Sequence, residues 1–162
     1  MILREATRAD IPFVMHTERI PGYEHFIGHW DEARHIAELA DPANRYLLAE
    51  RDGAPVAFAI LQELDDPGGG VYLQRFAVAE QGKGDGGWLL RAVQDWVFAR
   101  PDAHRLHLHF STENARGKRL YDGAGFQIEG VERDVYKMPD GRRVSRYVAS
   151  ILRPEWEKLR RM

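Results

Sequence analysis

Two spacings of apolar residues alternate along this chain, one typical of strands and one of helices. Strands are predicted at 1–5, 46–51, 56–64, 71–78, 105–110, 126–137 and 142–152. Helices are predicted from caps at Thr7 or Asp10 to about residue 17, from a cap at Asp31 to about residue 40, and at 84–100 and 113–123. The mixed-charge run 155–161 fits a further solvated helix.

Turn residues determine how these elements connect. Asp52-Gly53 and Pro139-Asp140-Gly141 each separate two strands and are typical of hairpins. Other strand pairs are separated by a helix, which is typical of a crossover connection. We therefore expect an α/β fold in a single domain, 1–162, with a mixed, mostly antiparallel sheet of six to seven strands and about four helices.

Composition excludes several classes of protein. Hydrophobic residues make up 44% of the 162, and the net charge is −2, which argues against a disordered chain and against a general nucleic-acid binder. With no cysteine, disulfides and thiolate nucleophiles are excluded. The chain also shows neither a signal peptide nor an apolar run of about 18 residues. We expect a cytoplasmic protein that binds neither membranes nor nucleic acid.

The richest segment for chemistry is 76–93, where a strand is followed by a glycine-rich loop and a helix. Glycines allow a ligand to approach the backbone closely, and free N–H groups at a helix start attract anions. Lys83 adds a cation. The segment suggests a phosphate or pyrophosphate cradle, although a glycine turn that only joins strand to helix is the alternative.

Two known phosphate motifs can be compared with this loop. Gly82 to Gly87 satisfies G-x-G-x-x-G, the dinucleotide-binding fingerprint. Its context is poor, because that fingerprint normally opens a βαβαβ domain and here helices and a hairpin precede it. The P-loop pattern is absent, since no Gly-Lys-Ser/Thr occurs.

A third pattern fits better. The segment Gln81 to Gly86 resembles the Q/R-x-x-G-x-G/A signature of the GNAT superfamily of N-acetyltransferases. Downstream, Asn114 to Phe126 resembles the family's N-x-x-A-x-x-L-Y-x-x-x-G-F segment. The order of elements also matches over nearly the whole chain. Arg75, Arg105 and the C-terminal segment 151–156 are similar to the branch that contains ribosomal-protein N-terminal acetylases.

The resemblance implies acetyl transfer from acetyl-CoA to an amine, without a metal. The pantetheine would lie between the strands 71–78 and 105–110, and Tyr121 would donate a hydrogen bond to the leaving thiolate. The residues expected to bind the cosubstrate are Phe76, Ala77 and Val78 through their backbone, Gln81, Gly82, Lys83, Gly84, Asp85, Gly86 and Gly87 around the pyrophosphate, and Asn114 and Lys118 on the following helix.

Three residues depart from the family's pattern. Asp85 places a carboxylate beside the expected pyrophosphate and would repel it unless the side chain points to solvent. Gly117 replaces an alanine, at a cost of about 1 kcal/mol of helix stability. Tyr72 occupies a position where many relatives have a glutamate that serves as general base.

The absence of this glutamate affects which acceptor amine we expect. At pH 7 roughly one lysine ε-amine in 2,500 is neutral, against about 10–15% of α-amines. One hypothesis is therefore an acceptor of low pKa, such as an α-amine or an aminoglycoside-like amine. The alternative is another base, for which the candidates are Glu24, His25, His29 and Glu63.

Other residues carry two interpretations each. Tyr23, Phe26 and Trp30 either line an acceptor pocket or clamp their loop to the sheet. His107 and His109 share one face of a strand and are expected to be half-buried packing residues under a helix.

We thus expect a CoA-dependent N-acetyltransferase, monomeric or homodimeric. The alternatives are a non-catalytic acyl-CoA-binding module and a dinucleotide enzyme that uses the G-x-G-x-x-G match.

Overall fold

The computed structural model describes every residue from Met1 to Met162. Seven strands form one sheet. They are β1 (Ile2–Glu5), β2 (Arg45–Arg51), β3 (Ala54–Gln62), β4 (Gly70–Val78), β5 (Arg105–Ser111), β6 (Gln127–Lys137) and β7 (Arg143–Leu152). The helices are α1 (Ile11–Glu18), α2 (Glu32–Ala40), α3 (Asp85–Phe98), α4 (Ala115–Gly123) and α5 (Arg153–Arg160). The count of seven strands confirms the prediction, and the C-terminal run forms α5, as its mixed-charge pattern indicated.

Local sequence explains most of the boundaries. The Asp31 side chain accepts a hydrogen bond from the Arg34 N–H at 2.8 Å and so caps α2. The hairpin between β2 and β3 turns at Asp52 and Gly53, which have φ of 52° and 78°. The helix α3 begins one residue after Gly84, whose φ of 83° is unfavourable for any residue with a Cβ.

The sheet is antiparallel except at its centre. Its strand order is β1-β2-β3-β4-β5-β7-β6, and β4 with β5 is the one parallel pair. That pair is short, because it joins only Gly70 to Arg105, Val71 to Leu106 and Tyr72 to His107. Beyond Tyr72 and His107 the two strands part, and a gap opens in the middle of the sheet.

Each face of the sheet has its own core. The larger cluster lies between the sheet and α3, where Leu89, Leu90 and Val93 are fully buried, and α4 and α5 pack on this same face. The smaller cluster lies on the opposite face. There α1 packs against the sheet through Val14, and the loop after α1 packs beside it. The gap between β4 and β5 therefore has the larger cluster on one face of the sheet and the smaller cluster on the other. No helix in the fold combines the length and apolarity that a bilayer crossing requires.

Candidate active site

The gap between β4 and β5 exposes backbone groups of β4. The Ala79 N–H donates to the Val56 carbonyl on β3, at 2.8 Å. Backbone groups alternate in direction along a strand. The backbone N–H and C=O of Ala77 therefore also point towards β3, whereas those of Phe76 and Val78 point into the gap. The Val78 carbonyl accepts a hydrogen bond from the Tyr23 hydroxyl at 2.8 Å. The N–H groups of Phe76 and Val78 are left facing the gap.

The glycine loop after β4 presents a run of free donors. No backbone carbonyl of the chain accepts a hydrogen bond from the N–H groups of residues 80–87, and pairing resumes at Trp88, which donates to the Gly84 carbonyl at 3.1 Å. Gly82 and Gly84 both have φ of 83°, and a Cβ added to either would meet no other atom. The loop therefore surrounds open space with N–H groups at the start of α3, as an anion-binding cradle requires.

Asp85 does not point to solvent, and its carboxylate does not stand free beside the cradle. Its side chain is 2% exposed and forms an ion pair with Arg51 at the end of β2. The guanidinium compensates the charge that would otherwise oppose a phosphate. Only the backbone N–H of Asp85 remains available to the cradle.

Other cradle side chains have partners on the surface. Lys83 is exposed, and its Nζ lies 3.7 Å from the Glu80 carboxylate. The Gln81 side chain accepts a hydrogen bond from Arg116, the second residue of α4, which ties the loop to that helix. Arg116 was not expected at this place, and it adds a second cation near the cradle.

The helix α4 carries the second predicted group of residues. Asn114 caps it, with Oδ1 accepting from the Gly117 N–H at 2.8 Å. A Cβ on Gly117 would come within 2.7 Å of the Asn114 Nδ2, so an alanine at this position would displace the capping side chain from its present place. Lys118 forms an exposed pair with Asp122, at 2.6 Å, and is not held towards the loop.

Tyr121 is packed in the core face close to the gap. Its ring contacts Phe110 of β5 and Phe126, with centroids 5.0 and 5.8 Å apart. Burial raises the pKa of the Tyr121 hydroxyl well above its ordinary value. The phenol therefore remains protonated at neutral pH and can act as a hydrogen-bond donor.

The loop between α1 and α2 covers the opposite side of the gap. Tyr23 and Trp30 are buried in the smaller core, so they clamp the loop, and of the three aromatics only Phe26 is exposed. The loop is not helical, so His25 and His29 do not share a helix face. Glu24 folds back on its own turn, with Oε2 accepting from the Gly22 N–H at 2.6 Å.

This loop is anchored by a buried polar network centred on Glu18, the last residue of α1. Its carboxylate contacts Arg75 Nη1 at 2.9 Å and His35 Nε2 at 2.8 Å, and accepts from the Trp30 N–H at 3.2 Å. The Arg75 guanidinium also lies over the Trp30 ring, 4.2 Å from its centroid. The sequence did not reveal the network.

A second group of polar side chains lies on the same face, where β4 and β5 separate. Tyr72 stacks on His107 with a centroid distance of 5.1 Å and lies 5.3 Å from His109. The two histidines are half-buried, as expected, but they pack against Tyr72 from the neighbouring strand instead of under a helix. His107 is bonded to Glu63 at 3.2 Å.

A sheet that parts at its centre, with free N–H groups at one end of the gap, offers room for an elongated ligand and donors for an anion. Comparison with known proteins identifies the family. The acetyltransferase (GNAT) family profile matches residues 12–126, and the chain belongs to this family. It is an acetyl-CoA-dependent N-acetyltransferase. The dinucleotide alternative is wrong, because the sheet has a single parallel pair and no βαβαβ unit.

One curated relative supports the same family, and solved structures share the fold. N-alpha-acetyltransferase RimI of Mycobacterium tuberculosis is 34% identical over 112 residues, which cover 67% of this chain and 68% of that protein. Spermidine N-acetyltransferase from Vibrio cholerae, in complex with CoA and spermine, superimposes with a TM-score of 0.85 at 20% identity over 96% of this chain and 97% of its own. The ribosomal-protein-S18-alanine N-acetyltransferase from Escherichia coli gives 0.79 at 24% identity, covering 93% and 92%.

Proposed function

We propose that this protein transfers an acetyl group from acetyl-CoA to an amine of low pKa, foremost the α-amine of a peptide or protein. The pantetheine arm lies in the gap between β4 and β5, and the pyrophosphate lies against the N–H groups of residues 81–87. The observation that carries this proposal is the run of unpaired N–H groups from Glu80 to Gly87, adjoining a gap that starts at Tyr72 and His107.

The chemistry follows from which groups face the gap. A neutral amine attacks the thioester carbonyl from the side of the α1–α2 loop, and the carbonyl oxygen becomes an oxyanion. The N–H of Val78, which alternation directs into the gap, is the donor for that oxyanion. Holding both reactants in one gap supplies much of the rate.

Tyr121 has the role of stabilising the sulfur that leaves. Its hydroxyl makes no hydrogen bond to another residue, and its raised pKa makes full proton transfer to a thiolate more unfavourable. A hydrogen bond to the departing sulfur is therefore the role that fits. Asn114 and Lys118 remain proposed contacts of the CoA arm, together with Lys83.

The acceptor class follows from the free energy of deprotonation. An α-amine has a pKa of about 8 and a lysine ε-amine about 10.4, so the neutral form is far scarcer for lysine at pH 7. The name of the mycobacterial relative, an N-alpha-acetyltransferase, points in the same direction. We call the side of the sheet covered by the α1–α2 loop the acceptor face. Its carboxylates already have partners, since Glu18 pairs with Arg75 and Glu24 is bonded to its own turn. Glu63 contacts His107, and Glu132 pairs with Arg146.

Two peptides of one sequence test the acceptor class. One has a free α-amine and an acetylated lysine side chain, and the other has the reverse. At pH 7 we expect the first to be acetylated at least about tenfold faster, as measured by mass spectrometry. Equal rates would contradict the low-pKa acceptor, and acetyl-CoA binding without acetylation of any amine would favour the non-catalytic module. Sedimentation of the same sample distinguishes the monomer from the homodimer.

A further inference from the structure

We propose that His109 is the general base, and that it takes the proton from the acceptor ammonium. This assignment rests on the proposed function and adds to it the group that the sequence left open. Tyr72 occupies the strand position of the usual carboxylate. Of the other candidates, Glu24 is bonded to its own turn and Glu63 to His107, and His25 and His29 lie on a loop that does not bring them together.

The position of His109 is set by strand geometry. Leu108 and Phe110 of β5 are buried in the larger core, so His109 between them projects to the opposite face. The pairing of β4 with β5 ends at Tyr72 and His107, and His109 lies two residues further along β5. It therefore stands beside the gap, on the side from which the amine approaches.

The ring of His109 has free hydrogen-bonding capacity. Its Nδ1 is shielded from water and has no partner in the chain. Buried polar atoms are nearly always paired, so an unpaired imidazole nitrogen beside a gap calls for an explanation. His107 differs, because Glu63 already occupies its Nε2 at 3.2 Å. We assign the proton transfer to Nε2 of His109, the nitrogen that keeps contact with solvent.

The surroundings keep this imidazole neutral. Burial lowers the pKa of His109 below its ordinary value, and Arg146 and His107 act in the same direction, against Glu132 and Glu63. The other groups facing this cluster are Tyr72 and Tyr136, whose ring lies 6.0 Å from the Arg146 guanidinium. At pH 7 the base form therefore predominates, as a group that must accept a proton requires.

The protons balance. The acceptor enters as an ammonium and leaves as an amide with one N–H. One of the two protons that it loses passes to His109 and then to solvent. The other passes to the sulfur when the C–S bond breaks, while the Tyr121 hydroxyl donates a hydrogen bond to that sulfur.

A weak base also favours the proposed acceptor. Even for an imidazole of ordinary pKa, transfer from an α-ammonium is uphill by about 1.5 pK units and transfer from a lysine ammonium by about 4. The lowered pKa of His109 adds equally to both. The penalty is roughly 30-fold in one case and about 10⁴-fold in the other. His109 thus works on α-amines far better than on ε-amines.

The test is the pH profile of kcat/KM for an α-amine peptide, measured for the wild type, His109→Gln and the matched control His107→Gln. Between pH 6.5 and 8 we expect the wild type and the control to be nearly flat. His109→Gln should be about 30-fold slower at pH 6.5, and its deficit should shrink about tenfold per pH unit, because without the base only the neutral form of the amine reacts. Acetyl-CoA affinity and the melting temperature should be unchanged.

Two results would overturn the assignment in an enzyme that is active. One is a wild-type rate and profile in His109→Gln. The other is a deficit of the same size at every pH, which would indicate a structural role only. A wild type that acetylates no amine would overturn the proposed function itself, and this assignment with it.

Discussion

Glu18 and Arg75 form a buried ion pair across the acceptor face, with Nη1 2.9 Å from Oε2 and side chains that are 0% and 6% exposed. Burial alone would raise the pKa of Glu18, but His35 and Arg75 hold it below its ordinary value. The carboxylate is therefore charged at neutral pH, and it connects α1, α2 and β4 beneath the loop that borders the gap.

Replacing Glu18 with glutamine should destabilise the fold strongly. The substitution keeps the shape but leaves the Arg75 charge uncompensated in the interior, which costs about 3–5 kcal/mol. The free energy of unfolding in urea measures this. Glu157→Gln is the control, because its pair with Arg161 is exposed and should contribute less than about 1 kcal/mol. Equal small effects from both variants would contradict the role of the network.

The ion pair between Arg51 and Asp85 gives a second prediction. Arg51→Gln exposes the cradle to an uncompensated carboxylate, so acetyl-CoA affinity should fall about tenfold or more. Adding Asp85→Asn should restore most of the affinity, because the repelling charge is gone. Titration calorimetry on both variants measures this, with Arg8→Gln at an exposed position as the control. Failure of the second substitution to restore binding would show that the charge of Asp85 is not the cause.

Removal of the Tyr121 hydroxyl tests the role assigned to it. Phenylalanine keeps the packing against Phe110 and Phe126, and only the hydrogen bond to the leaving sulfur is lost. Because a hydrogen bond to a charged group contributes about 1.5–3 kcal/mol, kcat should fall roughly 10- to 100-fold. The KM for acetyl-CoA should change by less than about twofold. An unchanged kcat would remove Tyr121 from the reaction.

The pair of Arg105 with Glu129 predicts a dependence of stability on acid. Arg105, with help from the Ser150 hydroxyl at 2.6 Å, lowers the pKa of Glu129 to about 2. A lowered carboxyl pKa means that the stabilisation is complete above the unfolded value of about 4.3 and is lost as the pH falls towards 2. The difference in unfolding free energy between the wild type and Glu129→Gln should therefore shrink from pH 5 to pH 3.

The size of that difference should be modest. The Glu129 side chain is 40% exposed, so solvent screening limits the pair to about 1 kcal/mol at pH 7. Arg105→Gln removes the same pair from the other side and should converge with the wild type over the same pH range. A difference that stays constant with pH in both variants would contradict the assignment.

Local chemistry made most of the fold predictable. The cap at Asp31, the turn at Asp52-Gly53 and the strand alternation around Leu106 and Leu108 each depend on neighbouring residues, and the observed boundaries lie within about two residues of those expected. The position of the gap was implied only by family resemblance, because nothing in the sequence of β4 or β5 states where their pairing ends.

The partners of buried charges were not predictable in the same way. Arg51 pairs with Asp85 and Glu18 with Arg75 over long sequence separations, and such pairs depend on sheet register and helix placement. His109 shows a related limit. Alternation with Leu108 and Phe110 correctly predicted a half-buried side chain, but whether its ring nitrogens find partners depends on residues of β4, β6 and β7.

The most direct test of the account is the calorimetric titration of acetyl-CoA into the wild type and Gly84→Glu, with NADH titrated as a control. Gly141→Glu is the matched variant, because its φ of 85° is close to the 83° of Gly84 and neither glycine's Cβ would meet another atom. We predict that acetyl-CoA binds the wild type and Gly141→Glu alike, that Gly84→Glu abolishes binding, and that NADH does not bind. Undiminished binding to Gly84→Glu would show that the cradle at residues 81–87 does not hold the cosubstrate.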